Sequence, residues 1–335
     1  MRVLLAGGAG YIGAHTAVSL LDAGHEVVLL DDLSGTSAVA AQRVERITGK
    51  SAPLVVGNAA DDEVVESAFA DHGPIDAIIH FAAFKAVGES TQKPLEYYAN
   101  NLDTTFALLR VGLAHGIRSF VFSSTGTVYS DPADLPFTEE STTSVDLSNA
   151  YSKSKRMNEV VLADVARVNP DVNVTVLRYF NPVGAHTSGL IGEDPTGIPN
   201  NLMPYVSRVA IGALERIGVF GDDYDTPDGT GLRDYIHVVD LADGHVSALE
   251  KAAPGYAVYN LGTGRPVSVL ELISSFEKAV GRKLPTQILD RRPGDVAATY
   301  CDPAKAEREL GWKARFGIDE ASRDYWTWQS QNPQG

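Results

Sequence analysis

Only one cysteine, Cys301, occurs among 335 residues. No internal disulfide is available, and with no Cys or His beside it at ligand spacing the residue reads as structural. The eight histidines form no HExxH or comparable pattern, so no metal is expected. Long apolar runs are missing too. Stretches such as Val27 to Leu30 or Ala77 to Ile79 are strand-length and far short of a bilayer span. Positive charge is scarce, with 28 Lys and Arg against 43 Asp and Glu, a net −15. That field opposes nucleic-acid backbones and anionic membrane surfaces. A small anion is still admissible, because screening beyond about 8 Å leaves local Arg, backbone N–H groups and helix termini to decide. No charged leader with an apolar core precedes the first strand, Arg2-Val3-Leu4-Leu5-Ala6, which is the pattern expected of a cytoplasmic protein.

What remains is an ordinary globular composition, patterned as a doubly wound α/β chain. Strands are expected at Arg2–Ala6, Glu26–Leu30, Pro53–Gly57, Asp76–Phe81, Ser119–Ser124 and Asn173–Tyr179, each pair separated by enough chain for a crossover helix. Continuous apolar strands with helices between them imply a Rossmann-type parallel sheet covered on both faces. After Tyr179 the pattern turns to loop-rich segments with shorter helices, Asn201–Glu215 and Val267–Val280. The expected division is a cofactor-binding part over residues 1–178, to which some later segments return, and a smaller mixed α/β substrate-binding region over 179–335. No flexible linker separates them, and only Gln331–Gly335 reads as a free tail.

Two motifs carry chemistry. Gly7-Gly8-Ala9-Gly10-Tyr11-Ile12-Gly13 stands between the first strand and a helix, where glycines admit a sharp turn and a pyrophosphate lying on the helix N-terminus. Asp31 closes the next strand, at the position that binds adenosine ribose hydroxyls. With Asp32 beside it and no adjacent arginine, a 2′-phosphate would be repelled, so NAD is preferred over NADP. The second motif, Tyr151-Ser152-Lys153-Ser154-Lys155, puts a tyrosine and a lysine on one helical face. Lowering a tyrosine by about 3 pKa units requires roughly 4 kcal/mol, and one cation at about 4 Å supplies about that at an effective dielectric of 20. Lys155 and a positive nicotinamide ring are therefore expected to hold Tyr151 as a phenolate. Thr125, ending the strand through Ser123 and Ser124, is expected to reach the same oxygen.

At this point the chain resembles the extended short-chain dehydrogenase/reductase family, and within it the enzymes that epimerise UDP-hexoses at C4. The resemblance covers nearly the whole chain. It rests on Gly7–Gly13, His80-Phe81-Ala82, Lys85-Ala86-Val87-Gly88-Glu89-Ser90, Lys93–Tyr98, Arg178–Gly184, Pro199–Tyr205, Asp228–Gly231, Arg233–Val238 and Arg291–Asp295. It implies NAD contacts from Gly7, Gly10, Tyr11, Ile12, Gly13, Asp31, Asp32, Asn58, Ala59, Phe81, Ala82, Lys85, Asn100, Tyr151, Lys155 and Tyr179. It implies UDP-sugar contacts from Lys85, Thr125, Tyr151, Asn181, Asn201, Leu202, Phe220, Arg233, Tyr235, Arg292, Asp295 and Thr299. Arg233 and Arg292 agree with that, being paired donors suited to a diphosphate. A homodimer through helices equivalent to Pro94–His115 and Ala150–Asn169 is implied as well. Three positions depart from the family: Thr125 where serine is usual, Asn58 for an aspartate, and Ala83 for a glycine.

The implied reaction interconverts UDP-galactose and UDP-glucose, with Tyr151, Lys155 and Thr125 as its catalytic residues. A sugar-nucleotide 4,6-dehydratase would need an acid pair after Thr125, where Gly126 and Thr127 stand. A non-catalytic NAD sensor would need neither Tyr151 nor Lys155. The small Thr299 lies where the resemblance puts the room around the sugar C2 substituent, so UDP-N-acetylhexosamines are expected to fit too.

Overall fold

The computed structural model describes residues 1–195, 197, 199–292 and 294–333. Pro293 of the Arg291–Asp295 motif and Gln334 and Gly335 of the expected tail lie outside the described residues. In chain order the first half runs β1 (Arg2–Ala6), α1 (Tyr11–Asp22), β2 (Glu26–Asp31), α2 (Val39–Thr48), β3 (Leu54–Val56), α3 (Asp62–His72), β4 (Ala77–His80), α4 (Val87–Ser90), α5 (Pro94–Ala114), β5 (Ser119–Thr125), α6 (Ala150–Val168) and β6 (Asn173–Tyr179). The remainder runs β7 (Asn181–Val183), α7 (Leu202–Ala210), β8 (Ile217–Phe220), β9 (Leu232–His237), α8 (Val238–Lys251), β10 (Gly255–Leu261), β11 (Pro266–Ser268), α9 (Val269–Val280), β12 (Thr286–Leu289), β13 (Ala298–Thr299), α10 (Ala304–Leu310) and α11 (Ile318–Gln331).

Seven strands form one sheet in the order β10-β6-β5-β4-β1-β2-β3, every pair parallel. The period-2 geometry of a strand explains its apolar sequence. Val3, Leu5, Val27, Leu29 and Ile79 pack on one face with Ala17, Leu20 and Leu21 of α1. Leu4, Val28, Leu30, Ile78, Phe120 and Phe122 pack on the other with Ala107 and Leu108 of α5 and Leu162 of α6. A third core, including Met203, Val206, Leu272, Phe276, Tyr325 and Trp328, lies under β7, β9 and the helices α7, α9 and α11. There β9 pairs with β11, β13 and β7, and β8 with β12.

Several boundaries shift from the sequence expectation for local reasons. The strand expected at Pro53–Gly57 narrows to β3, whereas the one expected to end at Ser124 continues through Thr125. The helix expected over Asn201–Glu215 stops at Ala210, and Gly212 just beyond it takes a left-handed φ of +82°. Val267 and Ser268 belong to β11, and the Ser268 hydroxyl accepts from the Glu271 N–H to start α9. The free tail is corrected at its first two residues: Gln331 ends α11, and the Asn332 amide donates to the carbonyls of Gly189 and Trp328 while its oxygen accepts from Arg43.

Burial gives this core a definite acid response. His245 is fully enclosed, its Nδ1 bonded to the Leu241 carbonyl, and burial pulls it down to about 4. His15, held likewise on the Tyr11 carbonyl, is pulled to about 3 by burial. Both folded values lie below the unfolded value near 6.5, so the unfolded chain binds more protons as the pH falls. Their contribution is present above pH 6.5 and is lost as the pH falls through 6.5 toward 4. Urea midpoints measured from pH 7 to 4 should therefore fall steadily, and His245→Asn should flatten the fall by about 1.4 kcal/mol per pH unit. An identical slope in that variant would mean that His245 is not neutral in the folded chain.

Candidate active site

Strand order reverses between β1 and β4, so the loops leaving their C-terminal ends diverge and open a crevice there. The glycine loop lines it. Gly7 has φ +78°, and a Cβ on it would lie 2.7 Å from the Ala82 nitrogen of the loop after β4. At Gly13 a Cβ would come within 2.3 Å of the Gly7 carbonyl. Any side chain at either position would clash with that backbone and distort the cradle. Gly10 caps α1 without a side-chain hydrogen bond, which leaves the first N–H groups of that helix, from Tyr11 and Ile12 on, to an incoming anion.

Asp31 ends β2 and is buried. One of its oxygens accepts from the Ala9 N–H at 3.0 Å; the other accepts from the Leu33 N–H at 2.9 Å and the Thr36 hydroxyl at 3.2 Å. Burial raises its pKa while those bonds oppose the rise. The acid thus ties the glycine loop to the end of the neighbouring strand and keeps lone pairs for a ribose hydroxyl. Asp32 caps Ser34 beside it. The Asn58 side-chain oxygen accepts from the Ala60 N–H at 2.9 Å, with Ala59 buried next to it. Phe81 and Ala82 both donate their N–H groups to the Ala6 carbonyl, and the Phe81 ring packs on His245 with centroids 4.8 Å apart. Asn100, on α5, reaches the Asn101 side chain rather than a site group. Ala83 follows in a half-buried bend. The residues present fit a dinucleotide.

The three residues expected to be catalytic lie at the same sheet edge. Asn149 caps α6 by accepting from the Ser152 N–H at 2.8 Å, and this fixes the helix start at Ala150, one residue before Tyr151. Tyr151 is half-buried, while Lys155, one turn on, is 4% exposed. Burial pushes the Tyr151 phenol up, and the nearby Thr125 hydroxyl opposes that. The Thr125 Oγ1 accepts from the Thr127 N–H, and the Thr127 hydroxyl meets Ser152 at 2.7 Å. Lys155, expected together with a nicotinamide ring to hold Tyr151 as a phenolate, is engaged on the end of β5. Its Nζ donates to the Ser123 carbonyl at 2.7 Å and lies 4.8 Å from the Phe122 ring centroid. Burial draws the lysine itself down to about 7, against the pull of Glu159. Tyr179, ending β6, is likewise pushed up by burial.

Glu159 was not foreseen, although its spacing, four residues after Lys155 on the same helical face, is the signal that marks it. It has no exposed surface and accepts both Arg178 Nε at 2.9 Å and Nη2 at 2.7 Å, with the Ser124 hydroxyl at 2.5 Å. Glu193 was missed as well. An acid in a turn-rich segment reads as solvated, but this one is buried with Asn201 donating to it at 3.0 Å.

The residues expected to hold a UDP-sugar fall on the elements after β6. Asn181 stands opposite Tyr235 where β7 pairs with β9, and burial raises Tyr235 to about 12. Asn201 and Leu202 begin α7, and Lys85 lies 3.6 Å from Glu193. The two arginines are engaged differently. Arg233 bonds the carbonyls of Leu232 and Val296 and pairs with Asp295 at 3.5 Å, whereas Arg292 stacks on Phe220 at 3.7 Å from the ring centroid. Thr299 is half-buried on β13, in register with Arg233. Cys301 is enclosed beside Asp234, and burial raises its thiol, in keeping with a structural role.

Comparison with known proteins bears on this arrangement. The model of the NAD dependent epimerase/dehydratase family matches residues 3–262. The UDP-glucose 4-epimerase of Bacillus subtilis is 53% identical over 337 residues, covering 100% of this chain and 98% of its own. The crystal structure of UDP-glucose 4-epimerase from Bifidobacterium longum, in complex with NAD+ and UDP, superposes with a TM-score of 0.96 at 52% identity, covering all of both chains. The UDP-Glc/GlcNAc 4-epimerase of Campylobacter jejuni superposes with a TM-score of 0.83 at 33% identity over 98% of this chain and 99% of its own.

Proposed function

This chain belongs to the NAD dependent epimerase/dehydratase family, and we propose that it inverts the C4 hydroxyl of UDP-hexoses, interconverting UDP-galactose and UDP-glucose through a 4-keto sugar. One observation carries the reading: Tyr151 and Thr125 meet at the C-terminal end of β5, which Lys155 holds through the Ser123 carbonyl, at the same edge of the sheet as the glycine loop. Full-length kinship with UDP-glucose 4-epimerases supports it.

NAD, when bound, supplies the acceptor for the C4 hydride, returns it to the other face, and brings a positive charge near the phenol. Tyr151 takes the proton of the 4-hydroxyl and gives it back when the ketone is reduced, because it is the titratable oxygen in the site with a hydroxyl neighbour to share the substrate oxygen. Thr125 orients that oxygen. Lys155 holds the end of β5 through the Ser123 carbonyl. Asn181, Asn201, Leu202, Phe220, Arg233, Tyr235, Arg292 and Asp295 grip the nucleotide diphosphate, so that the keto sugar turns over without leaving. Elimination at C6 lacks support, since Thr127 stands where an acid would be needed and its hydroxyl is bonded to Ser152.

The purified protein should convert UDP-galactose to UDP-glucose, and Tyr151→Phe should lose at least about a hundredfold in kcat while still binding NAD and UDP. Normal turnover in that variant would remove Tyr151 from the chemistry.

The proposal extends to assembly and place. The paired helices α5 and α6 carry exposed Leu95, Val160 and Val168, which supports a homodimer through these helices. Among the described residues no helix is long and apolar enough to cross a membrane, and we place the enzyme in the cytoplasm. A sedimentation mass of one chain in the NAD-bound protein would refute the dimer.

Substrate breadth follows from Thr299, a small half-buried residue beside Arg233. Kinship to a UDP-Glc/GlcNAc 4-epimerase supports room for an N-acetyl group. UDP-N-acetylglucosamine should therefore be a substrate, and Thr299→Tyr should lower its kcat/KM by at least about a hundredfold with little effect on UDP-glucose. Robust hexose turnover without any N-acetylhexosamine turnover would overturn the size argument.

A further inference from the structure

Glu193 lies in the irregular stretch between β7 and α7 and is 5% exposed. One carboxyl oxygen, Oε1, accepts from the Asn201 amide at 3.0 Å and lies 3.6 Å from the Lys85 ammonium. The other, Oε2, is buried and has no hydrogen-bond partner among the described residues. Its backbone is pinned from behind. The Tyr325 hydroxyl donates to the Glu193 carbonyl at 2.9 Å, and Gly192 lies so close to Trp328 that a Cβ would come within 2.3 Å of the ring. Tyr11, first residue of α1, has its phenol raised by burial and then by the charge of Glu193, and donates to the Gly184 carbonyl.

The carboxyl group therefore stands where three parts of the site meet: the glycine-loop helix through Tyr11, the loop after β4 through Lys85, and the start of α7 through Asn201. Lys85 is mostly exposed and is a weak partner while it remains in water. A buried acceptor left short of donors is unfavourable and calls for a reason to be kept. We infer that Glu193 is a positioning residue for the UDP-hexose reaction, aligning Asn201 and Lys85 on the nucleotide sugar. The inference rests on the epimerase reading for its substrate but not for its geometry. The role lies outside the Tyr151 chemistry, so it acts on substrate binding rather than on the proton transfer.

The test uses Glu193→Gln and Glu193→Ala in the full chain with NAD bound. The glutamine keeps an oxygen for Asn201 but loses the charge facing Lys85 and places an N–H donor or a neutral oxygen at Oε2. It is expected to raise KM for UDP-galactose roughly tenfold while changing kcat less than about threefold. The alanine releases Asn201 too and should raise KM further. Lys85→Met combined with Glu193→Gln should raise KM by less than the product of the single effects. Unchanged KM in both Glu193 variants overturns the inference. So does a proportionate fall in kcat and melting temperature with KM unmoved, which is the mark of a merely structural residue. A parent chain inactive on UDP-galactose would instead refute the proposed reaction. In that case weaker calorimetric binding of UDP to Glu193→Gln than to the parent would still support the positioning role, and equal binding would refute it.

Discussion

A carboxylate without exposed surface needs partners on every side, and Glu159 finds them in Arg178 and Ser124. Removing either charge would leave the other stranded in the interior. The pair joins three elements at one level: α6 through Glu159, β6 through Arg178 and β5 through Ser124. Thr125 follows Ser124 in the strand, and Lys155 precedes Glu159 by one helical turn. The position of the Thr125 hydroxyl and of Lys155 is therefore set by the ion pair behind them. Tyr129 covers the guanidinium at 5.0 Å and bonds Asn260 of β10 at 2.6 Å, extending the arrangement to the sheet edge.

The other half of the site is governed by close approach of backbone. Gly7 and Gly13 allow the first turn of α1, the end of β1 and the loop after β4 to pack at distances that no side chain permits. Asp31 then fastens the loop from the neighbouring strand. A hydrogen-bonded acid and close-packed backbone together make a cradle whose shape exists before a ligand arrives, so little ordering entropy remains to be lost on binding.

The parts legible in the sequence were those with strict spacing. Strands buried on both faces read as continuous apolar runs, and β1 and β6 carry the expected bounds. The glycine loop, Asp31 and the Tyr151/Lys155 pair were legible because each needs a particular residue at a particular interval. Directions were less so. Helical spacing put Lys155 on the face of Tyr151, but the choice of the Ser123 carbonyl as its partner depends on how α6 sits over β5. Glu193 was hidden for a different reason, since the groups that hold its backbone segment, Tyr325 and Trp328, lie far along the chain. Asn332 was hidden likewise, its partners Gly189 and Arg43 being remote in sequence.

The seventh strand of the main sheet, β10, has consequences for how the chain reaches this structure. Gly255 lies opposite Asn173 and Leu261 opposite Tyr179, so the strand that closes the edge is made well after the six it completes. Until it docks, β6 offers a row of unpaired backbone groups along an apolar strand, an open template for another chain. Pairings between distant segments are slow to form because loop-closure entropy must be met before contacts reward it. Partition of the chain between productive folding and aggregation should thus turn on how quickly β10 covers β6, a race in which Tyr151 and Lys155 have no part.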